Sequence, residues 1–478
     1  MTSHRKPSRP RGPGPPRRRS GPRRPPPDDP PRRAALDALA AVRERDAYAN
    51  LVLPALLREQ RISGRDAALA TELGYGTCRA RGLLDAVLQA CVDRPLSDVD
   101  GDLLDALRLG AYQLLRTRIP PHAAVASVVD LVRGTRGSTT AGFVNAVLRR
   151  VSERDEPGWV SQLAPPRDED PVGHLAMAHP HPRWIAQAFA DALESSATTE
   201  LAAALAADDE RPLVHLAARP GEVSAEELAA LTGGALAPYS PYGVHLDEGG
   251  DPGDLPPVAE HLAHVQDEGS QLVALAVAAA PLDGPDARWL DLCAGPGGKA
   301  VLLGALAATG GARLDAVERA EHRARLVRQA CEGLPVTVHV ADGRGWQPDD
   351  PDLPDDGFDR VLLDVPCTGL GALRRRPEAR WRRQPGDVAG LVRLQRELLL
   401  AALRLVRPGG VVGYVTCSPH LAETVGVVAD GVRRAGAGQL DARPHFPGVP
   451  QLGAGPHVQL WPHRHGTDAM FCALLRAT

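Results

Sequence analysis

The chain has 478 residues, of which 43% are hydrophobic and 24% charged, with a formal net charge of -4. That length allows about three domains of roughly 150 residues, and the composition excludes a chain that is disordered throughout. No apolar run reaches the ~18 residues of a membrane span, the N-terminus lacks an apolar secretory core, and seven cysteines without CxxC spacing support neither a disulfide scaffold nor a zinc ribbon, so a cytoplasmic protein without metal is expected.

Residues 1–33 hold eleven Lys/Arg against Asp28 and Asp29, together with eleven prolines. Such a segment reads as a disordered cationic tail, either a solvated leader or a phosphate binder acting through counterion release. Arginine richness alone says little about RNA, because only Lys6 and Lys299 are lysines and the chain has the Arg, Gly and Pro usage of a GC-rich genome. Residues 34–156 are helical in pattern: Leu103, Leu107, Gly110 and Leu114 share a face, as do Val125, Val128, Val129 and Val132, then Val144, Val147, Leu148 and Val151. Breaks are expected at Ile119-Pro120-Pro121 and at Gly134 to Gly137, giving an all-α bundle. The proline-rich stretch 157–185 reads as a connection, followed by one helix over 185–207. Apolar runs at 213–217 and 242–246 flank a helical pattern at 225–231, so 157–257 is assigned to a linker and a small α+β unit. Beyond 258, strands are predicted at 287–292, 312–317, 336–340, 358–364, 411–416 and 469–475. Helical segments between them describe an α/β Rossmann-like, doubly wound domain over 258–478, in which ligands bind at the carboxyl ends of the strands.

The first of those strands runs into Asp291-Leu292-Cys293-Ala294-Gly295-Pro296-Gly297-Gly298-Lys299 and is followed by a helix. Glycines at such a junction let a ligand approach the backbone and leave the helix N-terminal amides free. Glu318 closes the second strand, where a carboxylate accepts from both hydroxyls of a ribose. Asp342 and Asp364 end the third and fourth. A glycine turn alone is a weak signal, but acids at four successive strand ends suit a nucleoside carrying no pyrophosphate and point to S-adenosylmethionine. NAD would require room for a diphosphate and a GxGxxG spacing, which GPGG does not supply.

Cys367 follows the fourth strand in Asp364-Val365-Pro366-Cys367-Thr368-Gly369, and Cys417 follows the fifth in Thr416-Cys417-Ser418-Pro419. Both thiols are therefore expected at the mouth of the sheet, beside the methyl donor. Carbon-5 of cytosine is a poor nucleophile until something adds to carbon-6, and a thiolate is suited to that addition. Chemistry alone permits either cysteine to attack. Cys78, Cys91, Cys331 and Cys472 read as small buried apolar residues.

With these residues in view, the chain resembles the RNA 5-cytosine methyltransferases of the NOL1/NOP2/Sun group, in particular the bacterial Sun/Fmu branch. The resemblance is carried by Val265-Gln266-Asp267-Glu268-Gly269-Ser270-Gln271, by CAGPGGK at 293–299, by DVPCTG at 364–369, by Leu373-Arg374-Arg375-Arg376-Pro377-Glu378 with Trp381, by TCS at 416–418 and by His465-Gly466-Thr467-Asp468. In the helical region Gly74-Tyr75-Gly76, Ile119-Pro120-Pro121-His122-Ala123-Ala124-Val125 and Val144-Asn145-Ala146-Val147-Leu148-Arg149-Arg150 are similar to that branch's NusB-like RNA-binding domain, and His179-Pro180 to the joining segment. The resemblance implies that Cys417 is the nucleophile and that Cys367 assists product release. It implies a cofactor site made of Cys293, Ala294, Gly295, Pro296, Gly297, Gly298, Lys299, Glu318, Asp342 and Asp364. It also implies 16S ribosomal RNA as substrate and a monomer. Two positions depart from the family pattern: Glu318 stands where many members have Asp, and the acidic run after TCS is here Pro419-His420-Leu421-Ala422-Glu423.

His457, His463 and His465 are weak zinc evidence and read as a loop near the substrate. Arg374-Arg375-Arg376, with Arg380, Trp381, Arg382 and Arg383, reads as a phosphate-tracking groove with a stacking aromatic. Competing functions are a non-enzymatic RNA-binding or antitermination factor, which leaves the two thiols unexplained, and a 5-cytosine methyltransferase acting on tRNA or another RNA. Methylation of an exocyclic nitrogen would call for a DPPY-like motif where this chain has DVPC.

Overall fold

The computed structural model describes residues 29–247, 250–348 and 357–478. The basic tail falls outside the described residues except at its end, where the boundary is corrected. Asp29 accepts from the Arg32 N–H and caps helix α1 (Pro30–Glu44), so residues 30–33 are helical. Prolines are tolerated there because the first turn has no partner for its N–H groups. Helices α2 (Ala49–Glu59), α3 (Gly64–Cys91), α4 (Gly101–Arg116) and α5 (Pro121–Val151) complete a bundle. Pro120 and Pro121 separate α4 from α5 as expected, and the expected break in the glycine segment falls at Gly137, whose non-helical φ of +83° and ψ of 178° divide the α5 span into two helical pieces that meet at a kink. Small size at Gly110 lets α4 and α5 touch, since a Cβ there would lie 2.6 Å from the Leu148 side chain.

The stretch read as a proline-rich connection instead holds two helices, α6 (Glu156–Leu163) and α7 (Pro171–Ala178), and the start of a third, α8 (Arg183–Leu193). Pro157 and Pro171 sit in first turns capped by Asp155 and Asp170, and Pro182 is itself the cap residue of α8. Proline density therefore marked helix starts here. The single helix expected over 185–207 is two, because Glu194 takes a positive φ of 50° between α8 and α9 (Ala197–Asp209). Phe189, Leu193, Leu201 and Leu205 from this pair form one apolar cluster with Leu370, Leu373 and Trp461 of the C-terminal domain.

A four-stranded antiparallel sheet follows, built from β1 (Val214–Ala218), β2 (Ala235–Leu236), β3 (Gly243–Leu246) and β4 (Ala263–Val265) in the order β2-β3-β1-β4, with α10 (Ala225–Thr232) and α11 (Pro256–Ala259) between strands. The small unit thus reaches beyond 257, since β4 pairs with β1 through Ala218 and Ala263. Three residues are too few to show a period-2 pattern.

The C-terminal domain comprises α12 (Glu268–Ala279), β5 (Arg288–Asp291), α13 (Gly298–Gly310), β6 (Arg313–Glu318), α14 (Glu321–Ala330), β7 (Val336–Val340), β8 (Phe358–Asp364), α15 (Ala379–Arg382), α16 (Asp387–Leu405), β9 (Val406–Thr416), α17 (Val425–Ala435), β10 (Gly438–Leu440), β11 (Val458–Gln459), α18 (Pro462–His465) and β12 (Phe471–Arg476). Its sheet has the order β10-β12-β9-β8-β5-β6-β7, with β9 through β7 parallel and β12 antiparallel. The six strands read from the sequence are β5 to β9 and β12. Because β5 lies between β6 and β8, the chain order reverses there, and a crevice opens at the carboxyl ends of these strands. Among the described residues no helix is long and apolar enough to cross a membrane.

Candidate active site

The glycine loop and three of the acids meet at the end of β5. Asp291 is fully buried, and burial, reinforced by the Asp364 carboxylate, pushes its carboxyl up to about 7. One of its oxygens accepts from the Cys293 N–H at 3.4 Å and the other has no protein partner. Sequence reasoning counted Asp291 among the four strand-end acids but did not name it as a cofactor contact; its signal was a carboxylate ending an apolar strand. Glu318 Oε1 accepts from the Ala320 N–H at 2.8 Å, while Oε2 lies 3.4 Å from Arg323. A Cβ at Gly295 would stand 2.2 Å from that Oε2, so only glycine leaves the carboxylate its place. Gly297 caps α13 with φ +118°, and Lys299, one residue into the helix, reaches back to Asp364 Oδ2 at 2.8 Å. Burial works against the Lys299 charge, but Asp364 wins and raises its pKa.

Asp342 follows β7 by two residues, and its carboxylate is held by Arg344 Nε and Nη2 at 2.9 and 2.7 Å, which brings it down to about 2. It lines an open groove of about 720 Å³ with Arg344, Trp346, Glu397 and Leu400. Asp291, Glu318 and Asp364 therefore form the inner acid set, with Asp342 at the rim.

The two thiols converge. Asp364 of β8 pairs with Val415 of β9, so the loops that follow leave the sheet side by side, and Cys367 Sγ lies 3.4 Å from Cys417 Sγ. The contact with Cys367, then burial, raises the Cys417 thiol well above its ordinary pKa, with the Lys299 ammonium acting in the opposite direction. The Cys417 carbonyl accepts from the Gly371 N–H at 2.9 Å. Glu423, fully buried, accepts from Thr368 N at 2.8 Å, from the Thr368 hydroxyl, from Ser418 Oγ at 2.7 Å and from Gln395 Nε2 at 3.0 Å. Neither Glu423 nor Gln395 was singled out as a site residue, although Glu423 ends the segment that departs from the family pattern.

The arginine run is not an open groove, which corrects the expectation of a phosphate track. Arg374 and Arg375 are both bonded to Asp267 and Asp468, drawing DEGS at 267–270, LRRRPE at 373–378 and HGTD at 465–468 into one network. Burial would raise the Asp267 carboxyl, but Arg375, His215 and Arg374 hold it well below the carboxylate range. Arg380 is fully buried against Pro180 O and Asp208. The Trp381 indole N–H donates to Cys78 O at 2.8 Å, and a Cβ at Gly82 would lie 2.2 Å from its ring. Arg382 donates to Val42 O and Asp46 O of the bundle, and Arg383 Nε to Thr368 O. The run thus joins the Cys367 loop to the helical domain. The C-terminal histidines also pack internally: His463 Nε2 contacts Glu200 at 2.9 Å, and His465 accepts from Trp461 N while donating to Pro450 O. Among the described residues no group of three His, Cys, Asp or Glu is placed to hold a metal ion.

Comparison with known proteins agrees with this architecture. The chain matches the family described as 16S rRNA methyltransferase RsmB/F over residues 278–476 and the NusB family over residues 29–153. It is 63% identical over 445 residues to a putative methyltransferase of Mycobacterium tuberculosis, covering 93% of this chain and 96% of that protein. It is 34% identical over 419 residues to ribosomal RNA small subunit methyltransferase B of Pseudomonas putida, covering 85% of this chain and 90% of the relative. The fold is shared with the solved structure of PH0851, at 21% identity and a TM-score of 0.76 over 94% of this chain and 99% of the other. It is shared also with NSun6 from Pyrococcus horikoshii, at 18% identity and a TM-score of 0.52 over 62% and 98%. A NusB-type helical domain joined to a doubly wound sheet with a glycine loop and acidic strand ends defines an S-adenosylmethionine-dependent RNA methyltransferase. The chain belongs to the RsmB/F family of these enzymes. A non-enzymatic antitermination factor is thereby set aside.

The residues at the β5 crevice fit the cofactor: the Gly295 cradle against Glu318, the helix start at Gly298 and the unpartnered buried oxygen of Asp291 offer acceptors and space for a nucleoside. Glu318→Ala is expected to weaken S-adenosylmethionine binding by about 1.5–3 kcal/mol, roughly ten- to hundredfold, through lost charge-assisted hydrogen bonds. Isothermal calorimetry checks this, and an unchanged dissociation constant in a folded variant would move the ribose contact elsewhere.

Proposed function

We propose that the protein methylates carbon-5 of a cytosine in 16S ribosomal RNA through a covalent adduct with Cys417. The observation that carries this is the 3.4 Å approach of the Cys367 and Cys417 sulfurs at the ends of β8 and β9, beside Lys299 and Asp364. In this reading Cys293, Ala294, Gly295, Pro296, Gly297, Gly298 and Lys299 line the cofactor with Glu318, Asp342 and Asp364. When bound there, S-adenosylmethionine supplies an electrophilic methyl group. The Cys417 thiol releases its proton to solvent and the thiolate sulfur bonds to carbon-6, which places an electron pair on carbon-5 to take the methyl. Loss of the carbon-5 proton and rupture of the S–C6 bond regenerate the aromatic base, with Cys367 assisting that release.

The contact with Cys367 and burial oppose ionisation of Cys417 most, the Asp364 carboxylate adds to them, and the Lys299 ammonium is the group that favours the thiolate. The curated relatives named for the small ribosomal subunit support the 16S assignment, and the NusB match supports RNA contact by the helical domain over 34–156. One chain supplies every residue invoked, and the enzyme acts as a monomer in the cytoplasm, where its RNA is. Mapping 5-methylcytosine in ribosomal and transfer RNA from cells lacking the gene tests this: one 16S position loses its methyl group. Loss at a tRNA position with 16S RNA intact would replace the substrate.

A further inference from the structure

We propose that Glu423 is a positioning residue that sets the spacing of the two thiols, an inference that rests on the two-thiol mechanism above. It stands six residues after Cys417 in a segment that otherwise departs from an acidic run, and its four side-chain hydrogen bonds go to neither cysteine. Its four bonds come instead from the residue after each cysteine and from helix α16. Thr368 gives its N–H and its hydroxyl, Ser418 its hydroxyl, and Gln395 an amide N–H. Gln395 donates to Pro366 O at 2.9 Å as well, so the loop carrying Cys367 is held on both sides of the sulfur. The Thr368 and Ser418 hydroxyls are themselves 3.2 Å apart, and the Tyr414 hydroxyl donates to the Glu423 carbonyl at 2.6 Å, which anchors the hub to β9.

Every group facing this carboxylate is a donor. An ionised carboxylate accepts all of them, whereas a glutamine would point an N–H₂ group at at least one donor, leaving a buried donor unpaired and pushing one loop away. Glu423, Thr368, Ser418 and Gln395 are all sealed from solvent. The hub's effect should therefore fall on the relation of Cys367 to Cys417 and leave the cofactor loop, which begins at the end of β5, undisturbed.

The test compares wild type, Cys367→Ala, Glu423→Gln and Ser418→Ala as full-length proteins on target RNA with S-adenosylmethionine. Turnover, cofactor affinity and the fraction of protein covalently attached to RNA on a denaturing gel are measured together. Glu423→Gln is expected to keep the cofactor dissociation constant, to lose about ten- to hundredfold in turnover and to accumulate the covalent band as Cys367→Ala does. Ser418→Ala removes one arm of the hub and should show the same pattern more weakly, which keeps the question open to measurement if Glu423→Gln does not fold. Turnover that falls only in step with the folded fraction, with no rise in the covalent band in either variant, would reduce Glu423 to a structural residue. Absence of a band from Cys367→Ala itself would overturn the two-thiol mechanism instead.

Discussion

Cys417→Ala is expected to abolish methylation and to leave no protein attached to RNA, whereas Cys367→Ala should still form the adduct and release it slowly. Both sulfurs occupy the same corner of the site, so the family resemblance assigns which one attacks and the chemistry then fixes what the loss of each does. Without a thiolate at carbon-6 there is no route to an activated carbon-5, and general binding and orientation cannot replace a missing bond. Loss of the nucleophile therefore costs the whole measurable rate. Loss of the second thiol acts after the methyl has moved, so the protein accumulates as a covalent complex that survives denaturation. The double variant should show no complex, because trapping requires the first thiol. A complex from Cys417→Ala and none from Cys367→Ala would exchange the two roles.

Arg380→Ala is expected to be the most destabilising single change at the junction of the domains, by about 3–5 kcal/mol. The side chain is fully buried and donates to Pro180 O at 2.8 Å and Asp208 O at 2.9 Å, with Asp208 Oδ2 at 3.4 Å. Asp208 is equally buried and bonded to His181 Nε2 at 2.9 Å. Burial lowers the Arg380 pKa, opposed by Asp208 and Asp209, so the pair exists because each partner compensates the desolvation of the other. Removing the guanidinium strands a carboxylate and two carbonyls without water. A loss of this size is a large fraction of the about 5–15 kcal/mol that holds a domain folded. Urea denaturation followed by tryptophan fluorescence measures it, and a shift below about 1 kcal/mol would show that water or His181 takes over the pairing.

The junction matters because it carries the loop that holds Cys367. From Cys367 the chain passes through Gly371, where a Cβ would lie 2.2 Å from Ala469 O, to the arginines bound by Asp267 and Asp468, and on to Trp381 seated on Gly82 of α3. The helical domain is thus packed directly against the segment that follows Cys367.

What the amino-acid sequence determined by itself was local. The glycine loop after β5, the acids at the ends of β5, β6, β7 and β8 and the cysteines after β8 and β9 were legible because each belongs to a strand-to-turn junction a few residues long, where backbone conformation and residue type are tightly linked. The bundle was legible for the same reason, through its helical period. What only the tertiary structure decided was partnership over distance. Arg374, Arg380 and Trp381 look like an RNA surface in sequence, because a charged or aromatic side chain carries no mark of whether its partner is a phosphate or an aspartate some 170 residues away; their partners proved to be Asp468, Asp208 and the Cys78 carbonyl. Glu423 was hidden likewise, since a carboxylate six positions past a cysteine has no local signature. Only when β8 and β9 lie in register do Thr368, Ser418 and Gln395 turn their donors on that one group, and the distance between the two sulfurs follows from that register.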